Sequence, residues 1–219
     1  MLRTFVLPLL LLLPVAARAL CTSDGVPQPA AVLERFLNAD CLECWRDPAT
    51  PAPGKDTLVL DWVLPGTLGE NAPLSTVASP DALERLRTLK QSVPQRTAAV
   101  SSRRAGALVP VRAAQGQSFN DYVGTSIELA QPGAEPWQAW LLLVERLPAG
   151  TEGSPVPRNL VRNVFRPDWA RPDTGGARKL AESRAMQIHE GASPERLRLV
   201  VLLQDGRGRM RAIAQTECP

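Results

Sequence analysis

The sequence predicts an α/β amino-terminal half followed by an all-β carboxy-terminal half. Two observations in the first half point this way. Apolar, strand-like runs flank a Cys41-Leu42-Glu43-Cys44 pair, and a well-capped helix pattern follows them. The third observation is a change of character after Gln131-Pro132-Gly133: from there on, short strand-like runs alternate with turns and no helical period recurs. The boundary is expected near 131–136. It divides a unit of residues 20–132 from a β-rich, sandwich-like unit of residues 133–219.

The elements are expected in the following order. Residues 31–37 form a first strand that ends at Asn38-Ala39-Asp40, with the cysteine pair at its exit. Residues 57–63 (Thr-Leu-Val-Leu-Asp-Trp-Val) form a second buried strand. Ser79-Pro80-Asp81 is a helix start: a capping hydroxyl, proline at the first helical position and an acid in the first turn. Leu83, Leu86 and Leu89 continue it at helical spacing to about Lys90. Residues 97–100 read as a short strand, and 107–111 as an apolar run broken by Pro110. Gly116, Gly124 and their polar neighbours read as a turn. In the second half, 137–145, 160–166 and 184–189 are strand-like. Residues 197–203, the turn Asp205-Gly206-Arg207-Gly208 and residues 210–214 give a strong hairpin signal.

Residues 1–19 read as an export signal. Arg3 supplies a short positive region, residues 5–15 an apolar core too short to span a bilayer, and Ala17 and Ala19 the small residues before a cleavage site at Leu20. Leu20 is bulky where a lipoprotein signal wants a small residue, so cleavage without lipidation is expected. No later segment is long and apolar enough to cross a membrane. The expected location is the periplasm or the medium, where disulfides persist. The net charge is +3, the charges are dispersed and aromatics do not alternate with them, which argues against a nucleic-acid surface. Twenty-one prolines imply many loops and short elements.

Four cysteines remain after cleavage. If Cys41 pairs with Cys44, then Cys21 and Cys218 are left for each other, although other pairings are open. A bridge over nearly the whole chain stabilises by up to about 5 kcal/mol, and the small Cys41–Cys44 ring by about 2 kcal/mol at most. The outer pair therefore reads as a staple. The inner pair reads as either redox-active or a static local disulfide. Zinc is disfavoured: a structural site needs four ligands, and Cys21, Cys218 and His189 all lie far from the pair in sequence.

A strand, a Cys-x-x-Cys, a second buried strand, a helix and a later apolar run with a Val-Pro pair resembles the thioredoxin order. Most of the chain after residue 20 is also similar to a group of exported bacterial proteins of unknown function, which carry a thioredoxin-like domain followed by β-strands. The matching segments are 33–37, Cys41 and Cys44, Asp61-Trp62, Val109-Pro110, 137–144 and 159–164. The resemblance implies a thioredoxin-like α/β domain with a cis Val109-Pro110 bond facing the disulfide. It implies thiol–disulfide exchange, with Cys41 attacking, Cys44 resolving and Pro110 holding the loop that aligns a protein thiol or disulfide substrate. No cofactor and no metal are implied.

There are departures from that pattern. The second cysteine usually runs on into a long helix whose amides stabilise the thiolate. Here Pro48, Pro51 and Pro53 allow one turn at most. Asp40 and Glu43 are carboxylates beside the pair and disfavour a thiolate. Asp61 is either a proton acceptor for the second cysteine or a structural strand acid. Trp45 and Trp62 either flank a substrate face or fill the core. His189, the only histidine, reads as an ordinary strand residue. The sequence thus supports an exported thiol–disulfide oxidoreductase, with a non-catalytic, disulfide-stapled binding or structural protein of the envelope as the alternative.

Overall fold

The structure is a computed structural model that describes residues 21–133, 136–170 and 179–218. The expected export signal lies outside these residues. Among the described residues no helix is long and apolar enough to cross a membrane.

The chain forms two sheets. The larger contains β2 (Ala31–Asn38), β3 (Thr57–Leu64), β4 (Thr97–Arg103), β7 (Trp137–Leu147), β8 (Arg158–Phe165), β10 (Leu197–Asp205) and β11 (Met210–Gln215), in the order β11-β10-β7-β8-β3-β2-β4. β2 runs parallel to β3, and β3 parallel to β8; the other pairs are antiparallel. The smaller contains β1 (Cys21–Thr22), β5 (Val111–Phe119), β6 (Tyr122–Leu129) and β9 (Leu180–Gln187), in the order β1-β5-β6-β9.

Side-chain alternation assigns each face of the large sheet. On one face Phe36, Leu60, Trp62, Trp140, Leu142 and Val144 pack with Ala82 and Leu86 of the helix α2 (Pro80–Thr88). Phe36 stacks on Trp62, and Trp140 meets Trp62 edge-on. On the other face Leu141, Leu143, Leu199 and Val201 meet Val111, Ala113 and Ile127 of the small sheet. That sheet leaves β2, β3 and β8 to be covered by the segment after Cys41. Burial on both faces explains why β2, β7 and β10 read as nearly unbroken apolar runs.

Local chemistry sets the element ends. The Ser79 hydroxyl accepts from the Asp81 amide at 3.1 Å, and Pro80 opens the helix as expected. The Cys21–Cys218 disulfide joins the first and last described residues, and β1 pairs with Gln115 and Ala114 of β5.

Three expectations are corrected. The fold is not a thioredoxin-like α/β domain with a β-rich extension. Eleven strands and two short α-helices make it mostly β among the described residues, and strands from both sides of residue 132 share the large sheet. The expectation rested on the order of a few elements, and order does not determine which strands pair. Secondly, no peptide bond among the described residues is cis, so Val109-Pro110 is trans. Thirdly, Gly116 and Gly124 lie within β5 and β6. The turn is Asn120-Asp121, closed by the Phe119–Tyr122 pair. Both turn residues have positive φ (46° and 59°), the backbone of a two-residue hairpin loop that Asn and Asp adopt at low cost.

Candidate functional site

The cysteine pair sits where the first strand ends. The Cys41 amide donates to the Asn38 carbonyl at 3.0 Å, and the Cys44 amide to the Cys41 carbonyl at 3.1 Å. The helix α1 (Leu42–Trp45) is a single turn, because the prolines beyond it cannot continue a helix. Cys41 and Cys44 form a disulfide. They are only 4% and 6% exposed and pack with Leu37, Val63, Leu74, Leu147 and Leu160.

The neighbouring carboxylates are engaged by other partners. Asp40 accepts from the Thr67 hydroxyl and from the Thr67 and Leu68 amides at 2.7–3.2 Å. The Thr67 hydroxyl foremost, with the two amides, holds its carboxyl below the usual aspartate range. Glu43 pairs with Arg96 at 2.8 Å on the surface. Pro110 is exposed and precedes β5, while its neighbour Val109 packs in the core between the two sheets and the cysteines pack in a separate cluster. The structure therefore brings Cys41 and Cys44 together and does not group Pro110 with them. His189 is exposed just past β9. Trp62 is core, on the helix side of the sheet.

Beside the disulfide lies a buried charged cluster. Arg35 and Asp61 are direct neighbours in the β2–β3 register. Arg35 Nε and Nη2 donate to the two Asp61 oxygens at 2.8 and 2.6 Å. Arg158 Nη1 donates to Asp61 Oδ1 at 3.1 Å, and the Asn159 amide donates to Oδ2 at 2.9 Å. Arg158 also reaches the Trp45 carbonyl at 2.8 Å and the Ser154 hydroxyl at 2.9 Å. Burial pulls its guanidinium below the ordinary arginine range, against the attraction of Asp61. Two guanidiniums share one carboxylate, so among its hydrogen-bonded groups this buried cluster carries one unmatched positive charge, with Asp47 attracting Arg158 only through space. Such a charge is costly unless hydrogen bonds surround it, as the Pro51, Pro157 and Trp45 carbonyls do here. A second buried pair, Arg85 with Glu34 and Gln204, lies on the opposite face and is internally matched.

The unmatched cluster opens on a cleft of about 630 Å³, a volume suited to a small molecule. Five prolines, Pro27, Pro29, Pro48, Pro53 and Pro157, line it, together with Leu58, Val59, Val156, Arg35, Arg146 and Asn159. Its walls are the segment after the disulfide, the start of β3 and the loop before β8. Sequence reasoning missed Arg35, Arg146, Arg158 and Asn159. Arg35 and Asp61 did carry a signal: charged residues inside otherwise apolar strands are expensive to bury unless they meet. Among the described residues no cluster of His, Cys, Asp and Glu has the makings of a metal site.

No family model, curated protein or solved structure matches the chain.

Proposed function

We propose that this is a non-catalytic, disulfide-stapled binding protein of an oxidising compartment, with its ligand seat in the cleft beside the Cys41–Cys44 turn. The burial of both cysteines in an apolar cluster carries this reading. Exchange needs a thiolate stabilised by cations, helix amides or water, and in-line access to a sulfur. Cys41 and Cys44 have apolar side chains around them and one helical turn. The disulfide also has a structural task. It closes the turn from which the chain passes through Trp45 to Thr50 and Pro51, whose polar atoms meet the buried arginines. The export-like first 19 residues and two disulfides support a periplasmic or secreted setting.

The test is alkylation and mass counting of thiols across a dithiothreitol series, with and without urea. A Cys41–Cys44 bond that resists until the protein unfolds is the expected result. Ready reduction of the folded protein, with Cys41 alkylating first and turnover of a disulfide substrate, would restore the oxidoreductase reading.

A further inference from the structure

The cleft's lining has an asymmetry of charge that points to its ligand. It holds two guanidiniums, Arg35 and Arg146, and one carboxylate, Asp56. Asp56 Oδ2 already accepts from the Ala30 amide at 3.1 Å. Behind the lining, Asp61 is shared by Arg35 and Arg158. The lining therefore carries a net positive charge, and the next carboxylate, Asp47, acts on Arg158 behind it without a hydrogen bond to it.

Arg35 is 5% exposed yet lines the cleft. A guanidinium has five N–H groups. Four hydrogen bonds hold this one: two to Asp61, one from Nη1 to the Pro51 carbonyl at 3.3 Å and one from Nη2 to the Pro157 carbonyl at 3.4 Å. One N–H on Nη1 has no partner among the described residues. Arg146 forms no ion pair among the described residues, and its charge acts unfavourably on Arg198, another cation. Proline offers no N–H and a fixed φ, so the five-proline wall is apolar, poor in donors and already rigid. A rigid wall lowers the ordering cost of binding.

Resting on the binding-protein reading above, we propose that the cleft binds a small apolar monocarboxylate. Its anionic end is held by Arg146 and the spare N–H of Arg35, and its hydrocarbon body lies against the prolines, Val59 and Val156. Arginine matches a carboxylate in charge and in planar geometry. A neutral ligand of the same shape would leave the positive site uncompensated.

The experiment is isothermal titration of the oxidised protein with octanoate and with octanamide, for the wild type and Arg146→Gln. Arg146 is on the surface, so the variant keeps the fold, which matching thermal unfolding verifies. The expected result is one octanoate site, with octanamide at least about tenfold weaker. Arg146→Gln weakens octanoate several-fold and leaves octanamide unchanged. Equal binding of acid and amide, octanoate binding indifferent to Arg146→Gln, or no octanoate binding in the millimolar range would each overturn the proposal. None of these results involves thiol turnover, the separate observation that would remove the binding-protein reading itself.

Discussion

The indole of Trp45 lies 4.9 Å beneath the guanidinium of Arg158, and Arg158 Nη2 donates to the Trp45 carbonyl at 2.8 Å. This contact joins the residue directly after the disulfide to the charged cluster on β8 and β3. Trp45 is fixed at its other end as well, because its Nε1–H donates to the Glu152 carbonyl at 2.8 Å. The disulfide turn, the cluster and the cleft wall are thus one mechanical unit.

Replacing Trp45 separates these contacts. Trp45→Phe keeps an aromatic face under Arg158 and removes the N–H, and a loss of about 1 kcal/mol is expected. Trp45→Ala removes the platform too and is expected to cost about 3–5 kcal/mol. Urea denaturation of both variants checks the ranking, and equal losses would show that the ring contributes nothing beyond its hydrogen bond.

Asp61→Asn removes the carboxylate that Arg35 and Arg158 share. Breaking a buried charged cluster from one side costs about 3–5 kcal/mol, because the remaining charges stay buried without a partner. Glu84→Gln, at the exposed Arg87 and Arg166 pairs, is expected to cost less than about 1 kcal/mol. Denaturation midpoints at neutral pH compare the two directly.

The two disulfides differ in span, 197 residues against 3. Removing Cys21 and Cys218 together as serines is expected to lower stability by up to about 5 kcal/mol, and removing Cys41 and Cys44 by about 2 kcal/mol from the smaller loop. Thermal unfolding of the two double variants gives the order. A reversed order would mean that the packing around Cys41 and Cys44 outweighs chain entropy.

Asp40 provides a pH signature. Its folded carboxyl titrates below the ordinary value of 3.8, held there first by the Thr67 hydroxyl. A lowered carboxyl contributes stability above its unfolded value and loses it as pH falls through the folded value. Asp40→Asn is therefore expected to be less stable than the wild type at pH 7, with the gap closing as pH drops below 3.8. A Cβ at Gly66 would overlap the Asp40 carboxyl group and Asn38 Oδ1 whatever their protonation, so Gly66→Ala is expected to stay destabilised at low pH, where Asp40→Asn is not. An Asp40→Asn gap that stays constant with pH would place the effect elsewhere.

The Asn120-Asp121 turn allows a backbone test. A β-branched residue at φ 46° is strained, so Asn120→Val is expected to cost about 1–2 kcal/mol, measured by thermal unfolding. No loss would mean that the hairpin accepts another turn.

Much of the local structure was legible in the sequence. Alternation and apolar runs located the strands at 31–37, 57–63, 137–145 and 197–203 within a few residues. The helix start at Ser79-Pro80 and the hairpin at 205–208 followed from backbone chemistry that needs no tertiary context. The prolines after Cys44 limited the helix there to one turn, and the pairing of Cys21 with Cys218 was the arithmetic remainder of a local Cys41–Cys44 bond. What the sequence could not decide is which strands are neighbours. Pairing depends on register and on which faces are covered, and both are settled only when all strands compete for partners. For that reason the thioredoxin order did not yield a thioredoxin fold, and Val109 packs between the two sheets while the cysteines pack in a separate cluster. The cleft was hidden for the same reason. Arg35, Asp61, Arg146 and Arg158 come from four strands, and only the β2-β3-β8-β7 neighbourhood brings Arg35 and Arg146 to one cleft, with Asp61 and Arg158 buried behind it.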